Sequence, residues 1–124
     1  MAAEWAKFCQ ARDLIVEEPH VVIEFGDDRR HRVTVDVHAD EYLLRALVAR
    51  QSIVSTLPNL PIQVWLRNRA MSLVGFRIDH RGRLIAEAWV PTAGLTAKEF
   101  QHYLRSVAAE ADRFEYVLTG KDSE

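Results

Sequence analysis

Between Met71 and Leu118 the apolar positions change rhythm once, from alternation to steps of three and four, and that switch is the clearest signal in the chain. Met71 to Asp79 and Arg83 to Val90 alternate with a period of two, as half-buried strands do, and only His80, Arg81 and Gly82 separate them. This predicts a hairpin whose loop ends on a glycine in the left-handed region, where a Cβ would be strained. The register follows by counting outward from the loop. Asp79 faces Arg83, Ile78 faces Leu84, Phe76 faces Ala86 and Val74 faces Ala88, while on the other side Arg77 meets Ile85, Gly75 meets Glu87 and Leu73 meets Trp89. The first side sets large residues against small ones and leaves room for a helix. Phe100, Leu104, Val107, Ala111, Phe114 and Leu118 supply it, on one helical stripe. Thr96 and Glu99 have capping-box spacing, and Leu95 and Phe100 sit where a hydrophobic staple would close. Gln101, His102, Arg105, Ser106, Glu110, Asp112 and Arg113 form its wet side, Gly120 ends it, and residues 121–124 are expected to fray.

Toward the N-terminus the signals are shorter. Residues 2–13 read as a helix with Trp5, Phe8, Cys9 and Arg12 on one narrow side, lying on the domain rather than inside it. After Pro19, Val21, Ile23 and Phe25 alternate with Val22 and Glu24. Gly26, Asp27 and Asp28 make a turn, and Val33, Val35 and Val37 alternate with Arg32, Thr34, Asp36 and His38, which predicts a second hairpin. The stretch Glu41 to Val54 fits two templates. Leu43, Leu44, Leu47 and Val48 suit a helix, and propensity favours one, whereas Leu44, Ala46 and Val48 suit a strand. We read a third strand, with Ile53, Val54 and Ser55-Thr56 continuing in extended fashion to Pro58. Leu57-Pro58-Asn59-Leu60-Pro61 then opens a short helix with Ile62, Trp65, Leu66 and Arg69 on one side, ending near Ala70. The expected fold class is α+β, an antiparallel five-stranded sheet with helices in the order α-β-β-β-α-β-β-α.

Composition changes this picture little. A chain of 124 residues with 48% hydrophobic and 27% charged residues has the make-up of one folded domain, read as 1–124 with a core of about 14–118, and is not a disordered segment. A formal net charge of -2 gives no general attraction to nucleic acid or to an anionic membrane. Cys9 is the only cysteine, which excludes an internal disulfide and a cysteine-based zinc site, and it reads as a small buried hydrophobe. Charged residues stand where a signal peptide needs its apolar run, and no stretch approaches a membrane span, so a cytoplasmic protein without membrane contact is expected.

The residues that could carry chemistry form no catalytic motif. His20, His31, His38, His80 and His102 lack the spacing of a zinc helix, and there is no serine-nucleophile elbow, phosphate loop or Cys-His pairing. Asp36, His38 and Asp40 make one cluster, which reads as a solvated strand end because a closed metal site needs about four ligands. No catalytic residue, metal ligand or cofactor is therefore assigned. Arginines gather as Arg29-Arg30-His31-Arg32 and as Arg67, Arg69, Arg77, Arg81 and Arg83, a residue type suited to phosphate. Asp27, Asp28 and Asp79 adjoin them, so they read as hairpin ends with local ion pairs.

Leu66-Arg67-Asn68, Val74-Gly75-Phe76-Arg77-Ile78-Asp79, Gly82-Arg83-Leu84, Trp89-Val90-Pro91, Leu95-Thr96 and Ala108-Ala109-Glu110-Ala111-Asp112, in that order, resemble the YbjN family, which shares the fold of the type III secretion chaperones, the Tir chaperone-like group. The similarity in order of elements spans about residues 20 to 118 and is one ground for reading 41–54 as a strand. It implies an antiparallel sheet with helices packed on it, frequent dimerisation, and a binding, chaperone-like or regulatory role without catalysis. A nucleic-acid accessory role through the arginine clusters is the alternative, and an enzyme comes third. The sequence locates an interaction surface as well. Leu73, Ile85 and Trp89, beside Arg77 and Glu87, form a hairpin face too apolar to meet only water, to be covered either by the first helix with Trp5 and Phe8 or by a protein partner or second copy.

Overall fold

The computed structural model describes residues 4–26 and 28–119. Alternation in the sequence becomes β1 (Leu14–Glu17), β2 (His20–Gly26), β3 (Arg29–Val37), β4 (Glu41–Ala49), β5 (Gly75–Ile78) and β6 (Leu84–Pro91). They form one sheet in the order β1-β2-β3-β4-β6-β5, with every neighbouring pair antiparallel. A short 3-10 helix (Glu4–Phe8) precedes the strands, α1 (Gln51–Val54) and α2 (Leu60–Ala70) join β4 to β5, and α3 (Ala97–Thr119) ends the described chain.

The strand assigned to the ambiguous stretch is real: Glu41–Ala49 pairs with both β3 and β6. Its side chains settle the choice, because Leu44, Ala46 and Val48 are buried on one face, a period of two that no helix provides. Several expectations need correction. The described residues form six strands rather than five, since Leu14–Glu17 pairs with β2 as an extra edge strand too short to register as alternation. The first helix is a single 3-10 turn rather than a helix over 2–13, of which residues 2 and 3 lie outside the described set. Its Trp5 is inside the core, 2% exposed with its ring centroid 6.3 Å from that of Phe100 in a tilted contact, because a turn so short can insert one large side chain without presenting a whole face. Residues 51–54 curl into α1 instead of staying extended. The Ser55 and Thr56 hydroxyls donate back to the carbonyls of Ser52 (3.1 Å) and Ile53 (2.7 Å), local bonds that compete with an extended run. In the β5–β6 hairpin, β5 begins at Gly75, so Leu73 and Val74 lie in the connection from α2 and the pairs Leu73–Trp89 and Val74–Ala88 do not form.

The rest of that hairpin has the counted register: Gly75 with Glu87, Phe76 with Ala86, Arg77 with Ile85 and Ile78 with Leu84. Gly82 closes its loop at φ +76°, and a Cβ there would come within 2.8 Å of Gln51 Cγ. The Asp79 carboxylate knits the loop together, accepting from the backbone N–H groups of Arg81 (3.0 Å) and Arg83 (2.9 Å) and from the Arg83 guanidinium (2.9 Å).

Helix α3 packs its predicted stripe on the face formed by Val21, Ile23, Val33, Val35, Leu44, Ala46, Phe76, Leu84, Ala86 and Ala88. The capping box is formed. The Glu99 N–H donates to Thr96 Oγ1 (3.2 Å), and the Thr96 N–H donates to Glu99 Oε1 (3.0 Å). The expected stop at Gly120 and the tail fall outside the described residues. One member of the supposed wet side is misassigned: Asp112 is buried, and Glu115 with it, beneath β3. Asp112 pairs with Arg29, and His31, Asp112 and Glu115 bring ligand-type atoms within 4.8 Å of one another.

Candidate functional site

Strand geometry sends alternate residues to opposite faces, so the register fixes what stands on the side of the sheet away from α3. Across the strands this outer face holds Ile15 and Glu17, then His20, Val22 and Glu24, then Arg30, Arg32, Thr34 and Asp36, then Leu43, Arg45 and Leu47, then Ile85, Glu87 and Trp89, and finally Arg77. The long helix packs on the opposite face, the 3-10 turn packs on α3, and α2 lies against the β5 edge. Trp5 and Phe8 therefore do not cover the outer face. Their rings contact Phe100 on the helix side.

Of the residues singled out in the sequence, Arg77, Ile85, Glu87 and Trp89 share this face and Leu73 does not. Leu73 sits half-buried in the connection before β5. Ile85 is only 4% exposed, shielded by its cross-strand neighbours Leu47 and Arg77. Trp89 is the open one, 47% exposed, with its ring 5.1 Å from that of His38. Arg77 grips Glu87 through two parallel bonds of 3.1 Å, diagonally across β5 and β6. Arg45 donates to Asp36 at 2.6 Å. This pair and the His38–Trp89 contact split the Asp36, His38 and Asp40 cluster between different partners.

A concavity lies on the same face. The β3–β4 ladder stops at Thr34–Arg45; beyond it the strands part, and His31 Nε2–H donates to the Leu47 carbonyl (2.8 Å) across the gap. A cleft of about 430 Å³ opens there, lined by Glu17, Val22, Arg30, Arg32, Thr34, Arg45 and Leu47 with the buried His31. Sequence reasoning missed this cleft, because a break in strand pairing leaves no mark in periodicity.

The buried cluster of His31, Asp112 and Glu115 was also missed. Asp112 and Glu115 are one helical turn apart, but nothing in the chain points to His31, which is distant in sequence. One nitrogen and two carboxylates could in principle meet a cation. Arg29 already holds Asp112, and His31 holds the Leu47 carbonyl, so the arrangement ties β3 to α3.

The arginine groups separate in space. Arg29 pairs with Asp112, Arg83 with Asp79 and Arg77 with Glu87, while Arg67 lies 4.1 Å from the Phe114 ring and Arg69 4.8 Å from the Trp65 ring. Burial raises the Cys9 thiol to about 11, so at neutral pH it stays a protonated core residue. A second apolar strip is exposed on α2, where Ile62, Trp65 and Leu66 face outward while Leu60 anchors the helix. No helix among the described residues is long and apolar enough to cross a membrane.

Comparison with known proteins bears on this geometry. A search of curated proteins finds no match. Among solved structures, the ExoU–SpcU heterodimer from the type III secretion system of Pseudomonas aeruginosa is similar at a TM-score of 0.62 with 15% identity, covering 98% of this chain and 100% of that one. The ExsC–ExsE complex is similar at 0.61 with 20% identity over 94% and 89% of the two chains. YbjN from E. coli is similar at 0.54 with 16% identity over 86% and 78%. At these identities the likeness establishes a shared fold, that of the secretion chaperones. The family model described as "Putative bacterial sensory transduction regulator" matches residues 6–118, and the chain belongs to that family, YbjN.

Proposed function

We propose that this protein is a single-domain, non-enzymatic protein-binding module, a chaperone-like or regulatory adaptor of the YbjN type, whose partner docks on the helix-free face of the sheet. The observation that carries the reading is the pairing of a half-exposed Trp89 with the apolar Leu43, Leu47 and Ile85 on a face over which no described helix packs. Tryptophan in such a setting is a frequent energetic centre of interfaces, and Arg77 and Glu87 would stand at its margin. Two of the similar structures were solved as complexes with a second protein, which supports binding over catalysis. In this reading the protein works in the cytoplasm, and the apolar strip of α2 joins two copies into a homodimer, leaving the sheet face for the client or regulator.

The test is a pull-down from native cytosol with the wild type and with Trp89→Ala, at low and high salt, followed by reconstitution of whatever the wild type alone retains. A protein that binds the purified wild type and is lost with Trp89→Ala supports the proposal. Nucleic acid as the only salt-sensitive partner would overturn it in favour of an accessory role on polyanions. Light scattering tests the dimer: Trp65→Ala should shift the mass toward the monomer, and Trp89→Ala should not.

A further inference from the structure

A cleft opens beside β3 on the proposed interaction face. Its lining includes three arginines and one glutamate around the apolar Val22 and Leu47. Arg45 is engaged by Asp36. Arg30 and Arg32 are exposed, and neither has an ion pair among the described residues. The acidic neighbours, Glu17 on the lining, Glu24 opposite Arg30 in the β2–β3 register, and Asp13 and Asp28 in an adjoining hollow with Arg30, lie beyond ion-pair distance of both arginines. Two guanidinium groups thus stand over an apolar floor with their planar forks unused, the arrangement that receives carboxylates in bidentate fashion. They lie two residues apart on one strand, about 6.6 Å along it, which is also the spacing of alternate side chains on an extended peptide.

We propose that this cleft receives an extended, acidic segment of the protein partner, its carboxylates meeting Arg30 and Arg32 and its apolar side chains covering Val22 and Leu47. The inference rests on the sheet face being the interaction surface and adds the chemistry of what binds there. Charge of this kind acts mainly on selection and on the rate of encounter, so the acidic character separates right partners from wrong ones while Trp89 anchors them.

Fluorescence anisotropy with three labelled peptides tests it: one alternating Glu and Leu, one with Gln for every Glu, and one with Lys for every Glu. The Glu–Leu peptide should bind the wild type at least about tenfold more tightly than the Gln–Leu peptide. It should weaken between about 50 mM and about 300 mM salt, and lose its preference in Arg30→Glu/Arg32→Glu. Because both side chains are exposed and unpaired, that variant should keep the wild-type circular dichroism. Absence of binding by the Glu–Leu peptide, equal binding of all three, or an undiminished preference in the reversed variant would overturn the inference. A single-stranded oligonucleotide binding as tightly as the Glu–Leu peptide would do the same. If Trp89→Ala loses the reconstituted partner while Arg30→Glu/Arg32→Glu keeps it, the sheet face stands and its acidic ligand falls.

Discussion

Asp79 and Phe76 hold the β5–β6 hairpin by different forces, one by charge-assisted hydrogen bonds and one by apolar packing, and each gives a measurable consequence. Burial alone would raise the Asp79 carboxyl, but hydrogen bonds from the Arg83 and Arg81 backbone and from the Arg83 side chain outweigh it and hold it at about 2. The folded-state value lies below the unfolded value of about 3.9, so the contribution is complete above about pH 4 and is lost as pH falls through about 2. It should amount to about 2 kcal/mol. Urea titrations at about pH 5 and about pH 2 should therefore show a smaller acid destabilisation for Asp79→Asn than for the wild type. Identical acid sensitivity would place the loop's stability elsewhere. Phe76 is 4% exposed and meets Phe114 edge-on at 4.8 Å, so Phe76→Ala should destabilise by about 3 to 5 kcal/mol. Arg77→Ala, one residue along on the outer face, should cost less than about 1 kcal/mol because its pair with Glu87 is half in water. Similar losses at both positions in urea would contradict the face assignment.

Among the elements, the junction of α2 and β5 distinguishes what the pattern could reveal from what it could not. The Asn68 side chain acts like one residue of a further strand: its Nδ2–H donates to the Phe76 carbonyl (2.9 Å), and its Oδ1 accepts the Phe76 N–H (2.7 Å). This seals the edge of β5, which would otherwise offer a row of unpaired backbone groups. Asn68→Ala should cost about 1 to 3 kcal/mol and speed hydrogen exchange at the Phe76 amide. An amide as protected as in the wild type would show that α2 is held by Leu60 and its neighbours alone. The hairpin register, β3 and the α3 stripe were legible because each depends on local periodicity, whereas β4 fitted two templates and was read as a strand partly on the family resemblance. The first strand, the end of β5 and the course of residues 51–57 depend on a neighbour's hydrogen bonds or on four-residue segments, where period and propensity have little to say. The same division holds at the site. Trp89, Arg77 and Glu87 could be named from the alternation, but Ile85 is shielded by β4, a neighbour whose pairing the sequence did not determine.

On the scale of the molecule the two faces of the sheet differ in what covers them. One is filled by α3 and the 3-10 turn and holds the fold together; the other presents Trp89 at one end and the arginine cleft between β3 and β4. The buried polar cluster joins them, since His31 bonds the Leu47 carbonyl at the cleft while its strand is tied to α3 through Arg29 and Asp112. The proposed burial of the helix-free face by a protein is measured most directly by calorimetric titration of the reconstituted partner into wild type, Trp89→Ala and Trp65→Ala. The account predicts that Trp89→Ala weakens binding by about tenfold or more while Trp65→Ala leaves it unchanged. Binding to Trp89→Ala at the wild-type affinity would contradict it.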